Sequence, residues 1–252
     1  MLNIVIPMAG AGSRFASKGY LQPKPLIPIN GMPMIQVVIN NLRPECAHRF
    51  IFICQEKHVR EYQLDRQLPA WAPDCQIIAL DGLTQGAACT VLMARDLINT
   101  EEELMIANSD QYVDVDINIY LQKMRQDNLE GLIMTMAADD PKWSFVGLNH
   151  ENLVTRVVEK TVISNEATVG IYNFRHGKDF VDSAERMIEK DLRVNNEFYV
   201  APVYNELIQN NKRIGIYNIG KEADGMYGLG IPVDLELFLT LPVHRRATQV
   251  TK

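Results

Sequence analysis

Apolar, strand-like runs alternate with helix-like segments through the first half of this chain. The strand-like runs lie at 2–6, 49–54, 76–80 and 104–107, and the helix-like segments at 34–42, 57–67 and 86–98. Alternation of this kind is typical of a parallel sheet with helices packed on both faces. The sequence therefore predicts an α/β fold.

The second half is richer in strands. Strand-like runs lie at 132–137, 145–148, 153–158, 168–174 and 214–219, and helical patterns at 178–190 and 203–210. No linker rich in Pro, Ser or Gly separates the two halves, and a length of 252 residues suits one large domain. We therefore predict a single domain that spans residues 1–252.

Charge and composition exclude several classes of partner. The net charge is −6, whereas proteins dominated by nucleic-acid binding usually carry a basic footprint, so no nucleic-acid partner is predicted. No apolar run approaches the length of a membrane span. The four cysteines (Cys46, Cys54, Cys75 and Cys89) show neither C-x-x-C nor zinc-ligand spacing, which is typical of thiols in a reducing compartment. We predict a cytoplasmic protein without a membrane partner.

A glycine turn, Met8 to Arg14 (MAGAGSR), follows the first strand directly. Two glycines allow a backbone turn to present its N–H groups to an anion. A dinucleotide-binding loop is the alternative, but its third glycine is absent and Gly19 and three prolines interrupt the helix that should follow. A simple tight turn remains an alternative for this segment, and we assign Ala9, Gly10, Ala11, Gly12 and Ser13 to nucleotide binding.

Lys24 lies ten positions after Arg14, within Pro23-Lys24-Pro25-Leu26. The prolines stiffen the loop and present the lysine on an extended backbone. Either cation alone is typical of a solvated basic loop. Two cations beside a glycine turn, however, suit a triphosphate.

Together, the first strand, G-x-G-x-R, P-K-P-L and Gly31-x-Pro33-Met34-Ile35 resemble the N-terminal signature of the sugar-nucleotide pyrophosphorylases, also called the nucleotidyl transferase family, in particular its glucose-1-phosphate thymidylyltransferase-like members. The resemblance implies a Rossmann-like three-layer α/β/α fold with a mixed, mainly parallel sheet. It also implies a Mg²⁺-dependent reaction. A phosphate oxygen of a sugar 1-phosphate attacks the α-phosphorus of a nucleoside triphosphate and displaces pyrophosphate. By position, Arg14 matches the arginine that helps to bind the leaving group, and Lys24 matches the lysine that contacts phosphate at the reacting centre.

Two further segments resemble the nucleotide and metal sites of this family. Thr84 to Ala88 (TQGAA) is similar to the base-recognition segment, which implies nucleotide contacts at Gln85 and Gly86. Asn108-Ser109-Asp110 is similar to the metal-binding turn, which implies a nucleotide contact at Ser109 and Mg²⁺ coordination by Asp110. A hard cation that bridges phosphates requires such a carboxylate. Without the resemblance, these segments are typical of a helix start and a turn.

The chain resembles the family's acceptor site at Glu159-Lys160 and at Gly170. The resemblance implies that Glu159 contacts sugar hydroxyls and that Lys160 contacts the acceptor phosphate. An isolated Glu-Lys pair is usually a solvated ion pair. The predicted domain thus has a nucleotide-binding part at about 1–130 and an acceptor-binding part at about 131–240.

The chain departs from the family pattern at two positions. The aspartate of W-x-D-x-G-T-P, the family's second metal ligand, falls on Gly228. Three alternatives follow: Asp224 on the same loop supplies the carboxylate, Asp110 and the substrates alone hold the metal, or catalysis is impaired. The glycine that contacts the sugar falls on Ser144, which we also assign to the acceptor site.

These features predict a transferase of polysaccharide or nucleotide-sugar biosynthesis that uses Mg²⁺, a nucleoside triphosphate and a phosphorylated small-molecule acceptor. The first hypothesis is formation of an NDP-sugar and pyrophosphate from a sugar 1-phosphate. The second is a cytidylyltransferase for a non-sugar phosphorylated acceptor, of the capsule or choline type. The third is a nucleotide-binding regulatory module with impaired turnover. A homo-oligomer is compatible with the sequence.

Overall fold

The structure is a computed structural model that describes residues 1–249. Its strands are β1 (Leu2–Pro7), β2 (Pro28–Ile29), β3 (Met32–Pro33), β4 (His48–Gln55), β5 (Gln76–Leu80), β6 (Glu103–Ala107), β7 (Gln111–Val113), β8 (Gly131–Ala137), β9 (Ser144–Leu148), β10 (Val154–Glu159), β11 (Glu166–Phe174), β12 (Ile214–Glu222) and β13 (Gly225–Gly228). Its helices are α1 (Ser13–Ala16), α2 (Met34–Leu42), α3 (Glu56–Tyr62), α4 (Leu64–Trp71), α5 (Ala87–Leu92), α6 (Arg95–Ile98), α7 (Ile117–Gln126), α8 (Gly177–Glu189), α9 (Tyr204–Gln209), α10 (Pro232–Thr240) and α11 (Val243–Ala247). Short 3₁₀ turns lie at Lys24–Leu26 and Ala201–Val203.

An 11-stranded sheet runs through the molecule in the order β5-β4-β1-β6-β11-β8-β12-β13-β7, with the β9–β10 hairpin attached at β11. The first part is parallel, since β1 pairs in parallel with β4 and β6. Antiparallel β11 then lies between β6 and β8. The predicted mixed α/β sheet is therefore confirmed, and strands from both halves of the chain share it.

Helices cover both faces of this sheet because its central strands are apolar on both sides. Along β1, Ile4 and Ile6 join a buried cluster with α2, α4 and α7. Val5, between them, joins a second cluster with α5, α8 and α9. Side chains alternate across a strand, so a continuous apolar run buries both faces.

Two predicted helices are each divided in two. The helix predicted at 57–67 is broken at Gln63, whose φ of 51° places it in the left-handed region between α3 and α4. The helix predicted at 86–98 ends at Leu92 and resumes as α6. Helical periodicity continues across both breaks, so it could not reveal them.

Strands β7 and β13, which the sequence did not predict, build the far end of the sheet. They pair antiparallel, with Gly228 opposite Gln111. The other edge of β7 is satisfied by a side chain of α2: the Asn41 amide donates to the Val113 carbonyl at 2.8 Å and accepts from its N–H at 2.9 Å. The turn at 108–110 thus connects the centre of the sheet to its far end.

The cysteines behave as isolated thiols. All four are free, and burial raises the pKa of the Cys54 thiol to about 12. Among residues 1–249, no helix is both long and apolar enough to cross a membrane.

Candidate functional site

The predicted site residues gather where β1 and β6 end. These neighbouring strands are parallel, so the turns after Pro7 and Ala107 leave the same edge of the sheet. Ligands of open α/β sheets bind in the crevice at this edge.

The glycine turn is held in place through its carbonyl side. The Met8 N–H donates to the Ile53 carbonyl at 2.8 Å, and the Gln55 side-chain amide donates to the Ala9 carbonyl at 2.8 Å. Gly12 has a φ of 61°, and a Cβ there would lie at ordinary contact distance from Lys24, 3.7 Å from its Cβ and 3.8 Å from its backbone N. Backbone conformation, rather than lack of space, therefore favours glycine at this position.

Lys24 and Asp110 form an ion pair across the crevice. Lys24 Nζ lies 2.7 Å from Asp110 Oδ2, and each side chain is about a quarter exposed (24% and 23%). Lys24 begins a 3₁₀ turn that is anchored by buried Leu26. The structure thus brings together the predicted phosphate ligand and the predicted metal ligand, which lie 86 positions apart.

The predicted base-recognition segment is fixed by a residue from the second half of the chain. The Phe198 N–H donates to the Gln85 carbonyl at 2.8 Å, and the Ala88 N–H donates to the Phe198 carbonyl at 3.0 Å. Gly86 has a φ of 123°, and a Cβ there would lie 2.5 Å from both the N and the O of Phe198. Only glycine fits between these hydrogen bonds.

A cavity of about 280 Å³ contains three of the four predicted acceptor residues, Ser144, Glu159 and Gly170, whereas Lys160 does not line it. Its lining includes Ala87, Asn108, Lys142, Trp143, Ser144, Glu159, Thr168, Val169, Gly170, Tyr172, Tyr199, Val200 and Ala201. Lys142 and Trp143 directly precede Ser144, so sequence proximity was a usable signal for them. Tyr199 lies in a loop without any recognisable pattern, and the sequence analysis missed it.

Ser144 and Glu159 face each other on paired strands, and both are more than nine-tenths buried. The Ser144 hydroxyl donates a hydrogen bond to Glu159 Oε2. Burial raises the pKa of Glu159 above its ordinary value, although this hydrogen bond and the charge of Lys160 act in the opposite direction. One carboxylate oxygen of Glu159 is therefore already engaged by the protein.

Lys160 is held over an aromatic ring at the edge of this region. Its Nζ donates to the Tyr199 hydroxyl at 2.7 Å and lies 4.9 Å from the ring centroid. The hydrogen bond to Tyr199 raises the pKa of Lys160. Its φ of 55° is unusual for a residue other than glycine. The backbone thus turns sharply between Glu159, in the cavity, and this ammonium group.

Gly170 joins the cavity to the turn that carries buried Ser109 and Asp110. The Asn108 N–H donates to the Gly170 carbonyl at 3.0 Å, and a Cβ at Gly170 would lie 2.1 Å from Asn108 Nδ2. The cavity with Ser144, Glu159 and Gly170 therefore lies next to the turn that carries the predicted metal residue.

Asp224 does not reach this crevice, and its placement corrects the suggestion that it supplies the second carboxylate. It lies in the turn between β12 and β13, with its side chain 76% exposed and 3.9 Å from Lys221 Nζ. Pairing with β7 keeps β13 extended, so the four residues from Asp224 to Gly228 span about 13 Å. The loop cannot bend as the sequence analysis required.

A different carboxylate, Asp234 of α10, lies beside Gly228. A Cβ added at Gly228 would lie 3.2 Å from Asp234 Oδ2. Burial raises the pKa of Asp234, and the charges that act on it include Lys142, Arg14 and Asp110. Asp234 thus lies beside the strand that carries Gly228, and the sequence analysis did not identify it.

The donors at the crevice suit a hard cation. Within residues 1–249 no cluster of three or more His, Cys, Asp or Glu side chains is arranged for a metal. Mg²⁺ is commonly held by one or two carboxylates together with substrate phosphates and water. Asp110 and Asp234 fit that requirement, because both supply carboxylate oxygens.

Known proteins share both the sequence pattern and the fold. The model of the family described as "Nucleotidyl transferase" matches residues 4–212. The bifunctional protein GlmU of Methanococcus vannielii is 23% identical over 247 residues, which cover 93% of this chain and 53% of GlmU. The chain thus spans about half the length of this relative.

Two further comparisons concern part of the chain and its structure. A 2-aminoethylphosphonate cytidylyltransferase of Lancefieldella rimae is 31% identical over 114 residues, or 40% of this chain and 46% of that protein. The crystal structure of a nucleoside-diphosphate-sugar pyrophosphorylase from Vibrio cholerae superposes with a TM-score of 0.79 at 24% identity, covering 94% of this chain and all of the other. The family match extends over more than two thirds of the chain, and the resemblance found in the sequence is confirmed. This chain belongs to the nucleotidyl transferase family.

Proposed function

We propose that this protein transfers a nucleotidyl group from a nucleoside triphosphate to a sugar 1-phosphate, forming an NDP-sugar and pyrophosphate. The observation that carries the proposal is the Lys24–Asp110 pair between the glycine turn and the acceptor cavity. A phosphate-binding turn, a cation and a carboxylate converge there, beside a cavity that contains a buried carboxyl group and a lysine. Family membership supports the same reaction class.

The reaction requires placement of two phosphates and neutralisation of charge rather than a nucleophilic side chain. The N–H groups of residues 10–13 and the Arg14 guanidinium bind the β- and γ-phosphates, where negative charge accumulates as pyrophosphate leaves. Lys24 moves from Asp110 to the α-phosphate. Lys160 holds the acceptor phosphate in line with it.

Asp110 would hold Mg²⁺, and the ion, when bound, would supply neutralisation of negative charge at the reacting phosphates. The protein's own part is to present Asp110 at the end of β6, next to the acceptor cavity. Gln85 and Gly86 contact the base from the segment fixed by Phe198.

A second candidate, a cytidylyltransferase for a non-sugar phosphorylated acceptor, is favoured by one specific observation. Ser144 replaces the family's glycine and engages one oxygen of Glu159, which leaves the other for the substrate. A hexose, with its adjacent hydroxyls, can donate more hydrogen bonds to a free carboxylate than a short alcohol or amine can. The similarity to the L. rimae protein, whose name states a cytidylyltransferase activity, supports the same candidate.

A substrate matrix separates these functions. CTP, UTP, GTP, dTTP and ATP are each combined with hexose 1-phosphates and with phosphorylated alcohols, amides and amino compounds. Pyrophosphate release is measured for every pair, and we expect it from the pair that the enzyme uses. Turnover with a hexose 1-phosphate supports the first function. Turnover only with CTP and a non-sugar acceptor supports the second, and no turnover with any pair supports a regulatory module. Lys24→Ala serves as the control for contaminating activity.

The Ser144→Gly variant tests the assignment of the acceptor. If the hydroxyl limits hexose binding, removing it raises kcat/KM for hexose 1-phosphates relative to non-sugar acceptors. An equal change for both acceptor classes would remove the reason for the second candidate.

A further inference from the structure

We propose that Asp234 supplies the second metal carboxylate of this site, in place of the side chain that Gly228 lacks. The inference rests on the proposed function in so far as that function uses Mg²⁺. It assigns the role to another element of the fold, α10, and to a residue six positions further along the chain.

The first argument is the direction in which a side chain at position 228 would project. Gly228 is fixed on β13 by its pairing with Gln111. A Cβ added there would lie 3.2 Å from Oδ2, 3.7 Å from Cγ and 3.8 Å from Cβ of Asp234. The Asp234 side chain therefore occupies the space that an aspartate at position 228 would enter.

The second argument is the position of Asp110 on the same stretch of chain. A Cβ added at Gly230 would lie 2.4 Å from Asp110 Oδ2, and the Leu229 N–H donates to the Asp110 carbonyl at 2.8 Å. Gly228 and Gly230 are two residues apart, about 7 Å of extended chain. Asp110 thus lies against Gly230, and Asp234 lies against Gly228. Neither glycine has a side chain that would separate the two carboxylates.

A role in the helix alone does not account for Asp234. Its carboxylate is in the first turn of α10, where a negative charge interacts favourably with the helix dipole. The N-cap residue, Ile231, has no side-chain oxygen for a reciprocal capping arrangement. Within residues 1–249 the Asp234 carboxylate forms neither a hydrogen bond nor an ion pair, although it is partly buried. Its oxygens are free for a cation.

The test is Mn²⁺ binding, measured by the electron paramagnetic resonance signal of the free ion without any nucleotide. We expect Asp234→Ala to raise the Kd for Mn²⁺ at least tenfold, as loss of a carboxylate ligand should. Asp224→Ala is the matched control: it removes an aspartate only ten positions away and should leave the Kd within about twofold of the parent. Asp110→Ala identifies the binding that belongs to this crevice.

A transplant of the carboxylate provides the sharper arm. In an Asp234→Ala background, Gly228→Asp returns a carboxylate from β13 to the same space, where only the Cβ of residue 234 would remain, 3.8 Å from the new Cβ. We expect this double variant to recover Mn²⁺ binding to within about threefold of the parent. Recovery would show that a carboxylate in this space determines Mn²⁺ binding. A purely structural role of Asp234 in α10 does not predict recovery.

Three results would overturn the inference. First, Asp234→Ala binds Mn²⁺ as tightly as the parent protein. Second, Asp224→Ala loses Mn²⁺ binding instead. Third, the parent protein shows no Mn²⁺ binding that depends on Asp110. If Asp234→Ala unfolds, Asp234→Asn, which keeps the side-chain shape, replaces it in the direct Mn²⁺-binding measurement. Mn²⁺ binding requires neither acceptor nor base, so failure of the substrate matrix and failure of this inference remain distinguishable.

Discussion

Gly86→Ala should destabilise the protein far more than a substitution of a typical glycine in a loop. The φ of 123° and ψ of 173° at Gly86 belong to a region that is essentially restricted to glycine, and a residue forced into it costs about 1–3 kcal/mol. The new Cβ would also lie 2.5 Å from the N and O of Phe198, which form hydrogen bonds to Gln85 and Ala88. Loss of those two bonds costs about 1–3 kcal/mol together. The expected total is about 2–6 kcal/mol.

The matched control is Gly82→Ala, four residues earlier. Gly82 also has a positive φ, 95°, but a Cβ there would meet nothing within 4 Å. It should cost about 1–2 kcal/mol, from backbone strain alone. Urea denaturation followed by circular dichroism measures both variants, and nucleotide binding by calorimetry should weaken only in Gly86→Ala. Equal destabilisation of the two variants would refute the close approach of Phe198 as the reason for glycine at position 86.

Three further predictions follow from the crevice. Lys24→Ala should lower kcat/KM by roughly 30- to 1,000-fold, equivalent to about 2–4 kcal/mol of transition-state stabilisation, while the free energy of unfolding changes by only about 1 kcal/mol. The control is Lys18→Ala, which removes an exposed lysine. A near-parental kcat/KM for Lys24→Ala would exclude a role of Lys24 in phosphate binding. Asp110→Asn should remove Mg²⁺-dependent turnover and leave the fold intact, whereas an unchanged Mg²⁺ titration would place the ion elsewhere. Burial raises the pKa of Glu159, so the folded state keeps the carboxyl proton of Glu159 to a higher pH than the unfolded state does. Ionisation of Glu159 therefore lowers the free energy of unfolding as pH rises from about 4.5 through the folded-state pKa. Glu159→Gln should therefore gain Tm relative to the parent across that interval, in scanning calorimetry at several pH values; a Tm difference that does not depend on pH would contradict the assignment.

Local pattern was sufficient for much of the fold. The prediction of a helix at 34–42 coincides with α2, because its apolar residues recur at helical spacing. Most predicted strands lie within two residues of the observed ones, since short apolar runs between turn residues leave few alternatives. The strands β7 and β13 were missed because each is three or four residues long and is formed by long-range pairing.

The candidate site was predictable where it follows a strand end and unpredictable where it depends on packing. Lys24, Asp110 and Glu159 were named from motifs, and the structure places them along one crevice. Asp224 was suggested as one source of the second carboxylate because it precedes Gly228 on a glycine-rich loop, and Asp234 was not considered. The extended conformation of β13 holds Asp224 away from Asp110, and the return of α10 brings Asp234 beside Gly228. Both features result from tertiary contacts rather than from local sequence.

The pairing of β7 with β13 also determines when this crevice can exist. Asp110 emerges early in synthesis, but among residues 1–249 the strand that follows it has only the Asn41 amide and Gly225–Gly228 as partners along its two edges. During translation, the N-terminal core can therefore condense while the Asp110 turn waits for a segment more than a hundred residues downstream. Catalytic competence should appear as one of the last events of folding, so activity in a nascent-chain or refolding experiment reports completion of the whole sheet rather than formation of its N-terminal half.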